Sequence, residues 1–264
     1  MRAIATRRST NRRRPRAILG LACAGALALA LGLQLRPSAA ANDGIEGRPE
    51  KVDTALVLAV DVSGSVDAQR YALQMEGIAQ AFEDRDVQRT ILSGPNRSMA
   101  VALVEWSNTA SLTIPWTLIA SPADAQAFAE KVRHAPRNDN AFTCMSRALQ
   151  LVEGKVLPFA PVPAERVIVD VSGDGHDNCN LDPPVDAVRD RLVAEGVTIN
   201  GLPILAGREA ETLEDWYRSH VIGGNSAFLV AAQGFADFGR AIRQKFMVEV
   251  SARPDGTAFA EIRP

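Results

Sequence analysis

Apolar and polar residues follow one another along the chain in blocks that predict strands and helices in turn. Six apolar residues, 55–60, predict a strand buried on both faces. Helical spacing follows over 67–84, with Tyr71, Met75 and Ile78 on one face. The later predicted strands are 98–106, 111–119, 166–172, 197–205 and 226–231. The later predicted helices are 121–134, 143–154, 184–195, 211–220 and 235–248.

This alternation predicts an α/β fold. Strands separated by helices of ten or more residues favour a doubly wound, mainly parallel sheet with helices on both faces. The turn-like pair Ser107-Asn108 separates the second strand from the third. Because so short a connection joins antiparallel neighbours, we expect one antiparallel strand at an edge of the sheet.

Residues 1–41 have the pattern of a secretory signal peptide. Seven arginines and no acidic residue lie in the first 16 positions, an apolar run covers 17–35, and small residues for cleavage occupy 38–41. An uncleaved membrane anchor is the alternative, since 19 apolar residues nearly span a bilayer. Cleavage implies a periplasmic or secreted protein that meets the membrane only transiently, during export. Arg7-Arg8 leaves both general and twin-arginine export open.

The charge balance changes when this leader is removed. The whole chain has a formal net charge of −2, but the leader contains eight arginines and no acid, which leaves 21 basic and 31 acidic residues and a net charge of −10. An acidic surface argues against nucleic acid and anionic membranes as partners. The remaining length suits one domain. The predicted organisation is a signal peptide 1–41, a lead-in segment 42–52, one folded domain 53–250 and a C-terminal tail 251–264.

Oxygen-bearing side chains follow the predicted strands. Asp61-Val62-Ser63-Gly64-Ser65 comes directly after the first strand, Gly173-Asp174-Gly175 follows the strand 166–172, and Thr143 opens a helix. The carboxyl ends of parallel strands meet at one edge, where ligands bind in open α/β sheets. Hard oxygen donors select Mg²⁺, with Ca²⁺ or Mn²⁺ as alternatives. The competing interpretation is that the aspartates cap helices and the serines satisfy turns. The candidate ligands are Asp61, Ser63, Ser65, Thr143 and Asp174.

The three segments together resemble the metal-ion-dependent adhesion site (MIDAS) of von Willebrand factor type A (vWA) domains, over about residues 53–250. Val171-Ser172-Gly173-Asp174-Gly175 resembles in particular a family of secreted bacterial proteins of this type with no assigned activity. In the wider family a threonine often precedes the Asp-Gly pair, whereas Gly173 stands there in this chain. The resemblance implies that the hydroxyls ligate the ion directly and that the carboxylates reach it directly or through water.

A site of this kind is suited to binding rather than to catalysis. Neutral ligands leave much of the cation's charge uncompensated, so an open position favours an incoming carboxylate. We therefore expect a secreted binding module, not an enzyme, that recognises an acidic group on a protein or cell-surface partner. A metal-assisted hydrolase or phosphoesterase, and a structural domain with a degenerate site, are the alternatives. The chain contains neither a Gly-x-Ser-x-Gly elbow nor a His-Glu-x-x-His motif.

Two features of the predicted domain concern its internal bonds. Cys144 and Cys179 form an even pair, which predicts a disulfide in an oxidising compartment, with two free buried thiols as the alternative. If the loops of Thr143 and Asp174 meet at the ion, such a bridge fixes one against the other. Asp170 interrupts an apolar strand, so it lies at a sheet edge or pairs with a basic residue.

Overall fold

The computed structural model describes residues 49–138 and 141–251. The predicted signal peptide, most of the predicted lead-in segment and all but the first residue of the predicted tail lie outside the described residues. Within the two described ranges, no helix has both the length and the apolar character that crossing a bilayer requires.

Five strands form one mixed sheet in the described part of the chain. They are β1 (Val52–Asp61), β2 (Met99–Trp106), β3 (Ala110–Ile119), β4 (Ala164–Gly173) and β5 (Val197–Pro203). The strand order is β3-β2-β1-β4-β5. All neighbouring pairs are parallel except β2 and β3, which are antiparallel. The predicted fold class, including the single antiparallel edge strand, is confirmed.

The helices connect the strands and cover both faces of the sheet. The α-helices of the described ranges are α1 (Ala68–Glu83), α2 (Arg85–Ile91), α3 (Pro122–Arg133), α4 (Met145–Leu151), α5 (Val185–Ala194), α6 (Ala210–Trp216) and α7 (Phe238–Ser251). Helix α4 continues as a π-helical turn, Val152–Val156, and α6 continues as another, Tyr217–Val221. Short 3₁₀ turns are Leu157–Phe159, Gly207–Glu209 and Phe235–Asp237.

The alternation of side chains along β1 creates two cores. Leu56 and Leu58 face a cluster built with α1, α3 and α7, whereas Val57 and Ala59 face a cluster built with α4, α5 and α6. Because both faces are covered, β1 is an almost uninterrupted apolar run. The run ends at Asp61, where the strand stops and the chain turns toward α1.

Two elements differ from the sequence-based prediction. Helix α2 was not predicted, because seven residues are too few to show a clear helical period; Asp84 begins it by accepting hydrogen bonds from the amides of Asp86 and Val87. The predicted strand 226–231 is wrong as a strand, since it forms a single isolated bridge, Leu229 to Gly201 of β5, and the next bridge joins Ala232 to Ile204. Pro203 of β5 has no N–H, so the ladder lacks a donor between the two bridges.

Asp170 lies inside the protein and is paired with a basic residue. Lys245 of α7 places its ammonium 2.9 Å from Asp170 Oδ1, and the same ammonium also bonds Glu249. Asn200 of β5 donates to Glu249 Oε1 at 2.7 Å. The second of the two interpretations of Asp170 is therefore confirmed, and two buried carboxylates share one ammonium beneath α7.

Candidate metal centre

The structure brings the three candidate segments to one edge of the sheet. Asp61 is the last residue of β1, and Asp174 follows directly after the neighbouring parallel strand β4. The two strands are in register up to Val60 and Ser172, so their ends lie side by side. Thr143 lies in the loop before α4, and it stays at this edge because the next residue, Cys144, donates its amide to the carbonyl of Ser107 beyond β2.

The candidate ligands form a compact group of oxygens. Ser65 Oγ donates to Asp174 Oδ1 at 2.6 Å, and Ser63 Oγ lies 3.3 Å from Ser65 Oγ. Thr143 borders the same turn, because a Cβ placed on Gly175 would lie 3.7 Å from Thr143 Oγ1. Ser65 is exposed while the other four candidates are buried, so the group opens to solvent on the Ser65 side.

Asp61 is the most deeply buried carboxylate of this group. Its Oδ1 accepts a hydrogen bond from the Ser63 amide at 2.7 Å, and its carbonyl accepts one from Gln74 at 3.1 Å. Its Oδ2 is buried without a hydrogen-bond partner among the described residues. Burial, with a smaller contribution from the nearby Asp174 charge, raises the pKa of Asp61 to about 7. A buried carboxylate oxygen without a donor is costly, and a cation would compensate it.

Asp174 has two different neighbours on its two oxygens. Oδ1 takes the Ser65 hydroxyl, while Oδ2 lies 3.9 Å from Nη1 of Arg70, in the first turn of α1. Burial raises the pKa of Asp174, although the Ser65 hydrogen bond and the Arg70 charge act in the opposite direction.

The threonine loop is fastened to the aspartate loop by several bonds. Asn178 Oδ1 accepts the Thr143 amide at 3.0 Å, and the Asn178 amide donates to the Thr143 carbonyl at 2.9 Å. The predicted disulfide joins Cys144 to Cys179, with 5.2 Å between the Cα atoms. The predicted pairing is therefore confirmed, and the alternative of two free thiols is wrong.

The donor set fits a hard divalent cation. No cluster of three or more His, Cys, Asp or Glu side chains placed to hold a metal occurs among the described residues. The candidate centre is of another kind, since three of its five side chains are hydroxyls and two are carboxylates. Hydroxyl and carboxylate oxygens are ligands of Mg²⁺, Ca²⁺ and Mn²⁺. Asp61 Oδ2 has no hydrogen-bond partner within the described ranges, and a bound cation would compensate its charge.

Three further residues at this edge lie outside the predicted set of ligands. Arg70 and Asn178 contact candidate ligands, as described above. Tyr217 is fully buried behind the site and donates to the Gly173 carbonyl at 3.4 Å. A Cβ on Gly173 would lie 2.9 Å from Asp61 Oδ2 and 3.1 Å from the Tyr217 hydroxyl. The tyrosine hydroxyl thus occupies space that a side chain at position 173 would need.

Solved structures with the same arrangement of strands and helices include vWA domains. Proximal thread matrix protein 1 from the mussel byssus, solved with zinc in its MIDAS motif, is 17% identical over 75% of this chain and 46% of its own, with a TM-score of 0.56. A vWA protein from Catenulispora acidiphila is 18% identical over 76% of this chain and 43% of its own, with a TM-score of 0.55. This chain spans less than half the length of either protein. At this level of identity the likeness shows the fold, which is that of a vWA domain.

The family follows from the sequence of the domain itself. The model of the family described as "Protein of unknown function (DUF1194)" matches residues 51–254, and the chain belongs to that family. Comparison with curated proteins gave no match. The expected resemblance to vWA-type proteins without an assigned activity is confirmed.

Proposed function

We propose that the protein is a metal-ion-dependent binding module that recognises an acidic group on a protein or cell-surface partner outside the cytoplasm. The main support is the group of hydroxyl and carboxylate oxygens around Asp61 Oδ2, which is unpartnered within the described residues. It lies at the carboxyl edge of a mainly parallel sheet, where open α/β folds bind ligands. The zinc-occupied MIDAS motif of the mussel protein supports a divalent cation in general.

The residues divide into two roles in this proposal. Ser63, Ser65 and Thr143 would hold the cation through neutral hydroxyls, and Asp61 and Asp174 would supply negative charge. Mg²⁺ is the proposed ion, because all five side chains offer hard oxygen. When bound, the cation supplies uncompensated positive charge that attracts a carboxylate. The chain's own residues would hold such an ion on the side of Ser65, the exposed member of the group.

A hydrolytic alternative has weaker support from the geometry. His176 lies beside the site, with Nε2 3.3 Å from Thr212 Oγ1 and Nδ1 3.9 Å from Glu209 Oε2. The second distance is too long for the hydrogen bond that would orient the imidazole as a general base. The same ring is instead stacked on Trp216, with 5.0 Å between the ring centroids. Stacking on Trp216 explains the position of His176, and binding remains the proposed activity.

Metal-linked stability and partner capture test this function. A cation at 100 times its dissociation constant should stabilise the folded state by about 2.7 kcal/mol. We expect Mg²⁺ to raise the melting temperature of the wild type above its value in chelator, but not that of Asp61→Ala. The matched control, Asp190→Ala, removes a carboxylate that is 68% exposed on α5 and should behave as the wild type.

The same variants should then be immobilised and exposed to an extract of extracytoplasmic proteins. We expect the wild type and Asp190→Ala to retain partners with Mg²⁺ and to release them in chelator, while Asp61→Ala retains none. Equal melting temperatures with and without divalent ions would overturn the metal site. Equal recovery under all conditions would overturn metal-dependent recognition.

A further inference from the structure

Arg70 is fixed in place beside the candidate metal centre. Its Nη1 donates to the Ser65 carbonyl at 2.6 Å, and its guanidinium carbon lies 5.1 Å from the centroid of the Phe235 ring. The Nε atom lies 4.0 Å from Asp67 Oδ2, at the N-cap of α1. Three separate contacts thus order this long side chain before a partner binds. Binding therefore does not have to restrict its rotation, which would otherwise cost free energy. The side chain nevertheless remains 40% exposed.

The guanidinium lies on the side of the site that opens to solvent. Asp174 receives the Ser65 hydroxyl on Oδ1 and faces Arg70 Nη1 at 3.9 Å on Oδ2. Ser65 therefore contacts Arg70 through its carbonyl and the candidate ligand group through its hydroxyl. A guanidinium has five N–H donors in a planar fork that matches the two oxygens of a carboxylate. The contacts of Arg70 with the Ser65 carbonyl, Asp67 and Asp174 use only part of this capacity.

We propose that Arg70 is the second anchor of the binding site and determines its specificity for carboxylates. One oxygen of the partner's Asp or Glu side chain would approach the cation, and the other would accept from Arg70. A neutral carbonyl or hydroxyl group lacks the second, charged oxygen and would gain little from the arginine. This inference rests on the proposed function, and it names the chemical group that the site selects.

The proposal predicts two effects of opposite sign. A fixed positive charge beside Asp174 repels a divalent cation and attracts an anion. Replacement of Arg70 by methionine, which preserves the apolar stem against Phe235, should therefore strengthen cation binding and weaken carboxylate binding. We expect about a two- to fivefold lower dissociation constant for Mn²⁺ and about a tenfold higher dissociation constant for a dicarboxylate.

Mn²⁺ and glutarate are suitable probes for this test. Mn²⁺ binding to the full chain can be followed by the relaxation rate of water protons, and glutarate that displaces manganese-bound water lowers that rate. The matched control is Arg89→Met on α2, which removes the same charge from a side chain that is 76% exposed. Arg89 follows the end of α1 opposite to the one that bears Arg70, so its replacement should leave both constants unchanged.

A second variant separates charge from geometry. Arg70→Lys keeps the positive charge but loses the planar fork, so it should bind Mn²⁺ as the wild type does and bind glutarate more weakly than the wild type. If both Arg70 variants bind glutarate as Arg89→Met does, the assignment of Arg70 is wrong while the metal site stands. If the wild type does not bind Mn²⁺, the proposed function itself fails. Thermal unfolding of each variant verifies that it is folded.

Discussion

At the scale of single residues, Asp61 should have opposite effects on the stability of the metal-free protein and on metal binding. Its Oδ2 is buried without a hydrogen-bond partner in the described part of the chain, and an ionised carboxylate in that position destabilises the folded protein without metal. A cation reverses the effect, because it compensates the same charge. The residue that costs stability in the empty site should thus contribute most to the loaded one.

Asp61→Asn tests this opposition. The amide keeps the shape of the side chain and the oxygen that accepts from the Ser63 amide, but it removes the charge. Without metal at pH 8, above the raised pKa of Asp61, we expect the substitution to raise the free energy of unfolding by about 1–2 kcal/mol. Addition of Mg²⁺ should stabilise the wild type and leave the variant unchanged. Urea unfolding with and without Mg²⁺ measures both effects, and a variant without metal that is less stable than the wild type would contradict the prediction.

Gly173 is a second residue whose identity is set by its neighbours. A Cβ there would lie 2.9 Å from Asp61 Oδ2, 3.1 Å from Trp106 and 3.1 Å from the Tyr217 hydroxyl. Gly173→Ala should therefore lower the free energy of unfolding by about 1–3 kcal/mol, because the side chains of Asp61, Trp106 and Tyr217 must shift. The displaced Asp61 carboxylate should also weaken Mn²⁺ binding. The double variant with Tyr217→Phe removes one of the three contacts and should recover part of the loss. Calorimetric titration with Mn²⁺ and thermal unfolding check both variants; additive effects of the two changes would refute the coupling.

The residues of the candidate centre differ in how far sequence alone reveals them. Asp61, Ser63 and Ser65 are close in the chain and follow a clear strand, so their common location was predictable. Arg70 was missed because the sequence does not show what an arginine in the first turn of α1 faces, and only the fold brings it beside Asp174. Tyr217 lies 43 residues after Asp174 and reaches the site from a different layer, and no spacing marks such a contact.

At the scale of elements, the site depends on two loops that are far apart in the sequence and must be held together by tertiary contacts. The loop of Thr143 precedes α4, and the loop of Asp174 follows β4. The Cys144–Cys179 disulfide and the two hydrogen bonds between Asn178 and the backbone of Thr143 fix one loop against the other. These bonds pre-position the threonine hydroxyl relative to the aspartate, which reduces the ordering that a cation must impose.

The double variant Cys144→Ser/Cys179→Ser measures this effect. The bridge joins residues 35 positions apart, so its loss should lower the free energy of unfolding by about 3–4 kcal/mol in the chain-entropy model. We expect the dissociation constant for Mn²⁺ to rise about three- to tenfold, because the contacts of Asn178 then have to hold the threonine loop without the bridge. Urea unfolding and Mn²⁺ titration provide the two values. Reduced stability with unchanged Mn²⁺ affinity would show that the bridge supports only the fold.

The elements also show why sequence patterns describe a sheet better at its centre than at its edge. Strand β1 is buried on both faces, so its composition alone identifies it. The segment around Leu229 has a similar composition but lies beside β5, where Pro203 interrupts the hydrogen-bond ladder. A strand needs a partner with donors and acceptors in step, and that property belongs to the neighbour rather than to the segment itself.

At the scale of the whole molecule, two groups of carboxylates make stability depend on pH in opposite directions. Arg133 donates to Glu76 and Glu83 between α3 and α1, and these hydrogen bonds lower the pKa of both carboxyls. A lowered pKa in the folded state means that this contribution is present near neutral pH and is lost as the pH falls. Because these side chains are partly exposed, the contribution of each pair is modest.

The buried group beneath α7 acts in the other direction. Burial raises the pKa of Asp170 to about 7, since the attraction of Lys245 is shared with Glu249. A raised pKa in the folded state means that the contribution of Asp170 is fully present below about pH 4 and is lost as the pH rises through 7. The molecule should therefore be most stable in weak acid, between the range that protonates the surface pairs and the range that ionises Asp170.

Asp170→Asn tests how much the ionisation of Asp170 lowers folding stability as the pH rises. The new side chain has no charge at any pH and leaves Lys245 paired with Glu249, so the stability of the variant should fall less than that of the wild type as the pH rises from 5 to 8. The fall that remains comes from Asp61, whose pKa is also raised to about 7. Near pH 5 it should match the wild type closely, and at pH 8 it should be more stable by about 1–3 kcal/mol. Urea unfolding in chelator at several pH values gives both curves, with the exposed Asp190→Asn as control. Curves of the wild type and Asp170→Asn that stay parallel from pH 5 to 8 would mean that Asp170 remains ionised beside Lys245, and the ammonium would then stabilise both carboxylates at once.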